Sequence, residues 1–202
     1  MIRLAIVEDH PAISEGLTAL LGGEADLIVV GTARDSLEAD RLIETQSPNV
    51  VLCDIRLAGP VDGLQLLARH KSGPAFIMLS AYSYPSYYAT AVEQGAKGFL
   101  SKMATIAEIL KAVRTASAGG TTFPDSVRRA ARSALRPPTP RECQILALVA
   151  EGRANAEIAE HLSLRLKTVE SQLRRMFDRY DVTSRTSLVR VAQRQGWLKA
   201  DD

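Results

Sequence analysis

A continuous apolar run, Val50-Val51-Leu52-Cys53, follows Asn49 and is closed by Asp54. A run without polar alternation reads as a strand buried on both faces, and such strands belong to parallel sheets covered by helices. This points to an α/β architecture before composition is weighed. In open α/β sheets, ligands sit beyond the carboxyl ends of the strands, and Asp54 stands at such an end. Taken alone, an acid there is equally well explained as a helix cap or a turn residue.

The other strand ends change the weighing. A first strand, Ile2 to Val7, runs into Glu8-Asp9. A strand from Ala75 to Leu79 ends at Ser80, and one from Ala96 to Leu100 is followed by Ser101-Lys102. If these segments are parallel, three acids, a hydroxyl and an amine meet at one sheet edge. Carboxylate oxygens suit a divalent cation such as Mg²⁺. Lysine and hydroxyl groups offset the charge of phosphoryl oxygens. Asp54 is then the natural nucleophile, because a carboxylate can form an aspartyl phosphate.

Helical patterns alternate with the strands. Pro11 to Leu21 carries Ile13, Leu17, Leu20 and Leu21 at helical spacing, and further helices are expected at Leu37 to Thr45, Leu64 to Arg69, Tyr87 to Gln94 and Ile106 to Ala116. With an additional strand at Leu27 to Val30, five βα repeats result. Right-handed crossovers place their helices on both faces, giving a five-stranded, doubly wound parallel sheet of the flavodoxin-like kind.

Residues 1–118 resemble the receiver domain of bacterial two-component response regulators. The resemblance rests on Glu8-Asp9, Asp54, Ser80-Ala81 and Gly98-Phe99-Leu100-Ser101-Lys102, in that order. It implies that Asp54 accepts phosphate from a sensor histidine kinase. It implies a Mg²⁺ site made by Asp9, by Glu8 through water, by Asp54 and by the backbone carbonyl of Arg56. Lys102 would pair with Asp54 and later with the phosphate. Ser80 would turn to a phosphoryl oxygen, and Ala81 would keep the approach open. Phe99 occupies the position of the family's aromatic switch, often Tyr. Without a hydroxyl, an outward-to-inward shift of Phe99 would report packing alone. The loop after Asp54 departs from the pattern: Leu57-Ala58 replaces Met-Pro, and Gly59-Pro60 lengthens the loop so that Gly63 falls one residue late.

The chain has 202 residues, enough for this unit and a second small one. No apolar stretch reaches membrane-span length, and Met1-Ile2-Arg3-Leu4 runs straight into a strand without a signal-peptide pattern. Cys53 and Cys143 show no metal-binding spacing and suggest no disulfide, so a reducing cytoplasm is expected. Charge is divided: through Gly120 there are 10 basic and 13 acidic residues, and beyond it 15 basic and 10 acidic. A basic second part suggests nucleic acid as its partner.

Residues 119–138, punctuated by Pro124 and Pro137-Pro138, read as a linker, with a short basic helix available from Asp125 to Leu135. Thr139-Pro140-Arg141-Glu142 is a capping box with proline at the first helical position. The helix it opens would bury Cys143, Leu146, Ala147 and Ala150. Helices are expected at Ala154 to Leu162, at Lys167 to Tyr180 and after Ser184. Val169, Leu173, Met176, Phe177 and Tyr180 line one face of the third; Lys167, Glu170, Ser171, Arg174, Arg175 and Asp178 line the other. Two short helices joined by a tight turn, the second with a basic face, read as helix-turn-helix. A plain four-helix bundle with a solvated face is the competing reading.

The second module, residues 139–202, resembles the all-α DNA-binding domain of the NarL/FixJ (LuxR-type) regulators. Thr139-Pro140-Arg141-Glu142, Glu157-Ile158-Ala159, Lys167-Thr168-Val169 and Ser184-Arg185-Thr186 carry the resemblance. It implies that the helix from Lys167 enters the major groove of double-stranded DNA. Ser171 and Arg174, with Glu170 beside them, would face base edges, and Lys167, Thr168 and Arg175 would meet phosphates. It further implies a homodimer when phosphorylated and control of transcription with RNA polymerase as a further partner; with no span-length apolar stretch, no membrane is expected among the partners. Ser163 stands where the family turn carries Gly, Arg165 where a small polar cap stands, and Gln172 where His is common.

Two other functions compete. A phosphatase of the haloacid-dehalogenase kind would pair its nucleophile with a second Asp two residues on, where Arg56 stands here. No enzymatic turnover is therefore expected beyond phosphorylation and dephosphorylation at Asp54. A regulator controlled by a partner or ligand without phosphate is the other alternative, and the full set of site residues argues against it.

Overall fold

The structure is a computed structural model that describes residues 1–59, 61–82, 84–125, 127–129 and 135–198. The chain divides into two compact units. In the first, β1 (Ile2–Val7), β2 (Leu27–Ala33), β3 (Val50–Asp54), β4 (Ala75–Ser80) and β5 (Gly98–Ser101) form one parallel sheet in the order β2-β1-β3-β4-β5. The strand order reverses direction at β1 and β3, so a crevice opens beyond their carboxyl ends, where Glu8 and Asp54 stand.

Period-two alternation sorts the strand side chains between two layers. Leu4, Ile6, Leu52, Ile77, Leu79 and Leu100 share a buried cluster with Leu17 and Leu21 of α1 (Pro11–Leu21) and Ile109, Leu110 and Val113 of α5 (Ile106–Ser117). The opposite face meets α2 (Ser36–Gln46), α3 (Gly63–Arg69) and α4 (Pro85–Glu93), where Phe76 stacks against His70 and Phe99 against Tyr88. Leu20 of α1, expected in the core, is 57% exposed, because the buried stripe runs through Ser14, Leu17 and Leu21.

Two strands differ from expectation. β2 continues through Gly31-Thr32 to Ala33, because the register against β1 shifts by one residue after Leu4 and then resumes. A β-bulge of this kind hides a strand from periodicity, and Gly31 admits Leu42 where a side chain would clash. β5 starts at Gly98, and Lys97 instead bonds to Phe76 and Thr122. The chain after α5 therefore does not begin as a tether. Thr122 pairs beside Gly98, its N–H donating to Lys97 O and its carbonyl accepting from Phe99 N–H. Of the expected helix at 125–135, residues 125 and 127–129 are helical, Leu135 is not, and the rest lies outside the described residues.

The second unit holds α6 (Pro140–Ala150), α7 (Asn155–His161), α8 (Leu166–Tyr180) and α9 (Arg185–Gln195). Ile145, Leu146, Val149, Ile158, Val169, Leu173, Met176, Tyr180, Leu188 and Ala192 make its core. The face of α6 differs from expectation: Ala147 and Ala150 are exposed and Cys143 is half-buried, while Glu142 turns inward. Thr139 Oγ1 accepts from Glu142 N–H at 3.3 Å, and Glu142 Oε2 accepts from Thr139 N–H at 2.8 Å, which is the expected capping box. Glu142 also takes two bonds from the Arg179 guanidinium, at 2.9 and 3.0 Å, tying the start of α6 to the end of α8. These partners are what permit a buried acid. Among the described residues no helix is long and apolar enough to cross a membrane.

Candidate functional sites

The expected residues of the first unit converge. Asp54 ends β3 with 3% of its surface exposed, and Glu8, just past β1, is fully buried. Lys102, past β5, holds both: its Nζ lies 2.7 Å from Asp54 Oδ2 and 2.9 Å from Glu8 Oε1. The Arg56 N–H donates to Asp54 Oδ1 at 3.2 Å. Burial pushes the Asp54 carboxyl up from its ordinary range, and the Lys102 ammonium opposes that rise. For Lys102, burial works against the charge, but its bonds to Asp54 and Glu8 prevail and raise its pKa. Lys102 thus holds Asp54 by Oδ2, and the Arg56 N–H holds it by Oδ1, which fixes the orientation of the carboxylate.

His10 joins this cluster, and the sequence reading did not select it. Its Nδ1 lies 3.0 Å from Glu8 Oε1 and 2.8 Å from Asp9 Oδ1, and its N–H donates to Glu8 Oε1 at 3.1 Å. The bond to Glu8, then the charge of Asp9, raise its pKa. Ligand atoms of Glu8, Asp9, His10 and Asp54 lie within 4.8 Å of one another. Glu8 Oε2 and Asp9 Oδ1 are buried, and each is ion-paired at 2.8 Å, to Lys102 Nζ and His10 Nδ1 respectively. Three carboxylates, Glu8, Asp9 and Asp54, gathered this closely offer the oxygen ligands that a hard divalent cation takes.

Ser80 is buried at the end of β4. Its hydroxyl donates to Tyr82 O at 2.8 Å and accepts from Tyr82 N–H at 3.0 Å, so it is turned toward its own loop. Ala81 beside it is exposed. Phe99 is already inward, 2% exposed, with its ring edge-to-face on Tyr88 at 4.5 Å between centroids. Its contacts here are those of packing, against the Tyr88 ring. The lengthened loop places Gly59 at φ 104°, a conformation that glycine adopts at least cost, and pairs Ala58 with Asp35.

In the second unit the buried stripe of α8 is Val169, Leu173, Met176 and Tyr180. Helical phase sets Lys167, Ser171, Arg174 and Asp178 along the opposite line, with Glu170 and Arg175 flanking it. All six are exposed, and Thr168 is half-buried. Ser171 Oγ donates to Thr168 O at 2.9 Å. Ser163 takes φ 52° in the turn before α8, and Arg165 sits at the N-cap without a side-chain bond, as its identity led us to expect. Arg141, by contrast, donates to the Leu162 carbonyl at 2.7 Å and holds the turn from α6. Arg185 donates to Asn155 Oδ1 at 2.6 Å and to the Arg153 carbonyl, joining the starts of α9 and α7.

Comparison with known proteins places each unit in a family. The response regulator receiver domain family matches residues 4–114, and the luxR family of bacterial regulatory proteins matches residues 138–192. A receiver followed by a LuxR-type helix-turn-helix defines a DNA-binding response regulator. The transcriptional regulatory protein LiaR of Bacillus subtilis (strain 168) is 34% identical over 96% of this chain and 98% of its own length. The transcriptional regulatory protein UhpA of Escherichia coli (strain K12) is 35% identical over 94% of this chain and 97% of its own. A solved structure of two RcsB dimers bound to two parallel DNAs is similar at 25% identity, with a TM-score of 0.65, over 96% of this chain and 98% of that one. The chain belongs to the NarL/FixJ family of response regulators.

Proposed function

We propose that this response regulator is switched by phosphorylation of Asp54 by a sensor histidine kinase, and that the phosphorylated form dimerises and controls transcription by binding DNA through α8. The observation that carries the reading is the buried Asp54 carboxylate held at 2.7 Å by Lys102 beside Glu8 and Asp9. An Asp54 oxygen attacks phosphorus, and the leaving group departs with the electron pair of its bond to phosphorus. Lys102 holds Oδ2 in place and, after transfer, offsets the charge of the phosphoryl oxygens. Ser80 donates its hydroxyl to one of them once it has left Tyr82. Glu8, Asp9 and Asp54, with the Arg56 carbonyl, would hold Mg²⁺. When bound, the ion neutralises charge on the transferring group.

At the other end, Ser171 and Arg174 face base edges with Glu170 beside them, while Lys167, Thr168 and Arg175 meet phosphates. Two copies read half-sites about one helical turn apart. Regulation of transcription also makes RNA polymerase a natural partner, and nothing in the chain requires a catalytic turnover beyond Asp54 itself.

Intact mass tests the acceptor. With acetyl phosphate and MgCl₂ the protein should gain one phosphoryl group. Asp54→Asn should gain none, and omitting Mg²⁺ should slow the gain. A gain retained in Asp54→Asn would assign the acceptor elsewhere. No gain in the unaltered protein would favour control by a partner or ligand instead.

A further inference from the structure

Two loops flank Asp54. The loop leaving β3 carries Arg56, and the loop leaving β4 carries Tyr82. Their strands are neighbours, with Asp54 opposite Leu79 in the register. The Arg56 guanidinium carbon stands 4.2 Å from the centre of the Tyr82 ring, well within the range at which an aromatic face attracts a cation. Each partner is also anchored to the site through its backbone. The Arg56 N–H donates to Asp54 Oδ1, and Tyr82 exchanges two hydrogen bonds with the Ser80 hydroxyl. The ring contact closes a circuit that runs from Asp54 through Arg56 and Tyr82 to Ser80.

We infer that Arg56 and Tyr82 form a strap that holds Ser80 in its resting position and so limits the rate at which Asp54 takes up a phosphoryl group. This rests on the reading of Asp54 as acceptor and Ser80 as the hydroxyl that meets the phosphoryl oxygen. The Ser80 proton is committed to the Tyr82 carbonyl, so that bond must break first. As Ser80 turns, the Tyr82 N–H loses its acceptor and the Tyr82 backbone must shift. The shift is opposed while the ring is held by an arginine whose own backbone is fixed at Asp54. Both are positioning residues: neither side chain supplies an atom to the transfer. With acetyl phosphate, an Asp54 oxygen bonds to phosphorus, the bond from phosphorus to the acetyl oxygen breaks, and acetate leaves with the electron pair.

The test is the initial rate of phosphorylation of the full chain by acetyl phosphate in MgCl₂, followed by intact mass. Tyr82→Leu removes the ring and should raise the rate about two- to five-fold, the worth of a partly exposed cation–π contact. Tyr82→Phe keeps the ring and should keep the slow rate. Arg56→Gln opens the strap from the other side and should move the rate in the same direction as Tyr82→Leu. Rates unchanged in both Tyr82→Leu and Arg56→Gln would overturn the strap and leave the acceptor standing, as would Tyr82→Phe as fast as Tyr82→Leu. An unaltered protein that takes no label at all would overturn the acceptor and the strap together.

Discussion

A β-carbon on Gly63 would collide with the carbonyl oxygen of Asp54 and stand 3.0 Å from Cys53 Sγ. The start of α3 is thereby pressed against the end of β3, with the Gly63 N–H donating to Ile55 O at 2.9 Å. Gly63→Ala should therefore cost about 1–3 kcal/mol through overpacking, read as a lower urea midpoint, and should slow phosphorylation because the displaced atom belongs to Asp54. Equal midpoints would show that the loop absorbs the methyl group. At this scale the sequence shows the site unevenly. Glu8, Asp9, Asp54, Ser80 and Lys102 are visible because each terminates or follows a legible apolar strand. His10 is not, since a histidine next to an acidic pair is equally a helix-entry residue, and only the fold brings its Nδ1 to both carboxylates. The burial of Phe99 is likewise invisible, because it depends on Tyr88, a partner from another element.

Among the elements, the turn that leads into α8 carries a local cost. Ser163 occupies the left-handed region at φ 52°, which disfavours a side chain by about 1–2 kcal/mol. Ser163→Gly should relieve about 1 kcal/mol of this, seen as a higher urea midpoint in the fluorescence of Trp197, the single tryptophan, which packs at 4.8 Å from Tyr180. A lower midpoint would contradict this account of the turn. At its other end α8 is fixed by the Arg179–Glu142 pair. Burial alone would raise the Glu142 carboxyl, but the Arg179 guanidinium and the Thr139 donors outweigh it and hold the pKa below its ordinary 4.5. A depressed acid contributes stability that is complete above the unfolded value and is lost as pH falls through the folded one. The Trp197-reported stability should therefore decline below about pH 4.5, and Glu142→Gln should flatten that decline. An identical pH profile in the variant would remove Glu142 as the cause. Both capping-box residues are legible in Thr139-Pro140-Arg141-Glu142, but the inward turn of Glu142 is not. Apolarity selects Cys143, Ala147 and Ala150 for the core, whereas the arginine that neutralises Glu142 lies 37 residues away. β2 is shortened in the sequence for a comparable reason: a bulge and Gly31 interrupt a pattern that only pairing with β1 restores.

For the whole molecule, the charge division between the two parts has a structural counterpart. In the first unit Glu8 and Asp9 gather beside Asp54, and the cations Lys167, Arg174 and Arg175 of the second stand exposed on one face of α8. The parallel sheet with helices on both faces is legible from periodicity and strand-end chemistry, whereas pattern alone leaves the helix-turn-helix beside a plain four-helix bundle and only the family resemblance separates them. Binding that relies on exposed cations weakens as salt rises, so affinities must be compared at one ionic strength. The central claim is that a phosphoryl group on Asp54 governs what α8 does. The most direct measurement is the affinity of the full protein for duplex promoter DNA selected from its genome by footprinting, with and without acetyl phosphate, for the unaltered chain and for Asp54→Ala. The donor should tighten binding by the unaltered protein and leave Asp54→Ala unchanged. Equal, donor-responsive binding by both proteins would contradict the claim.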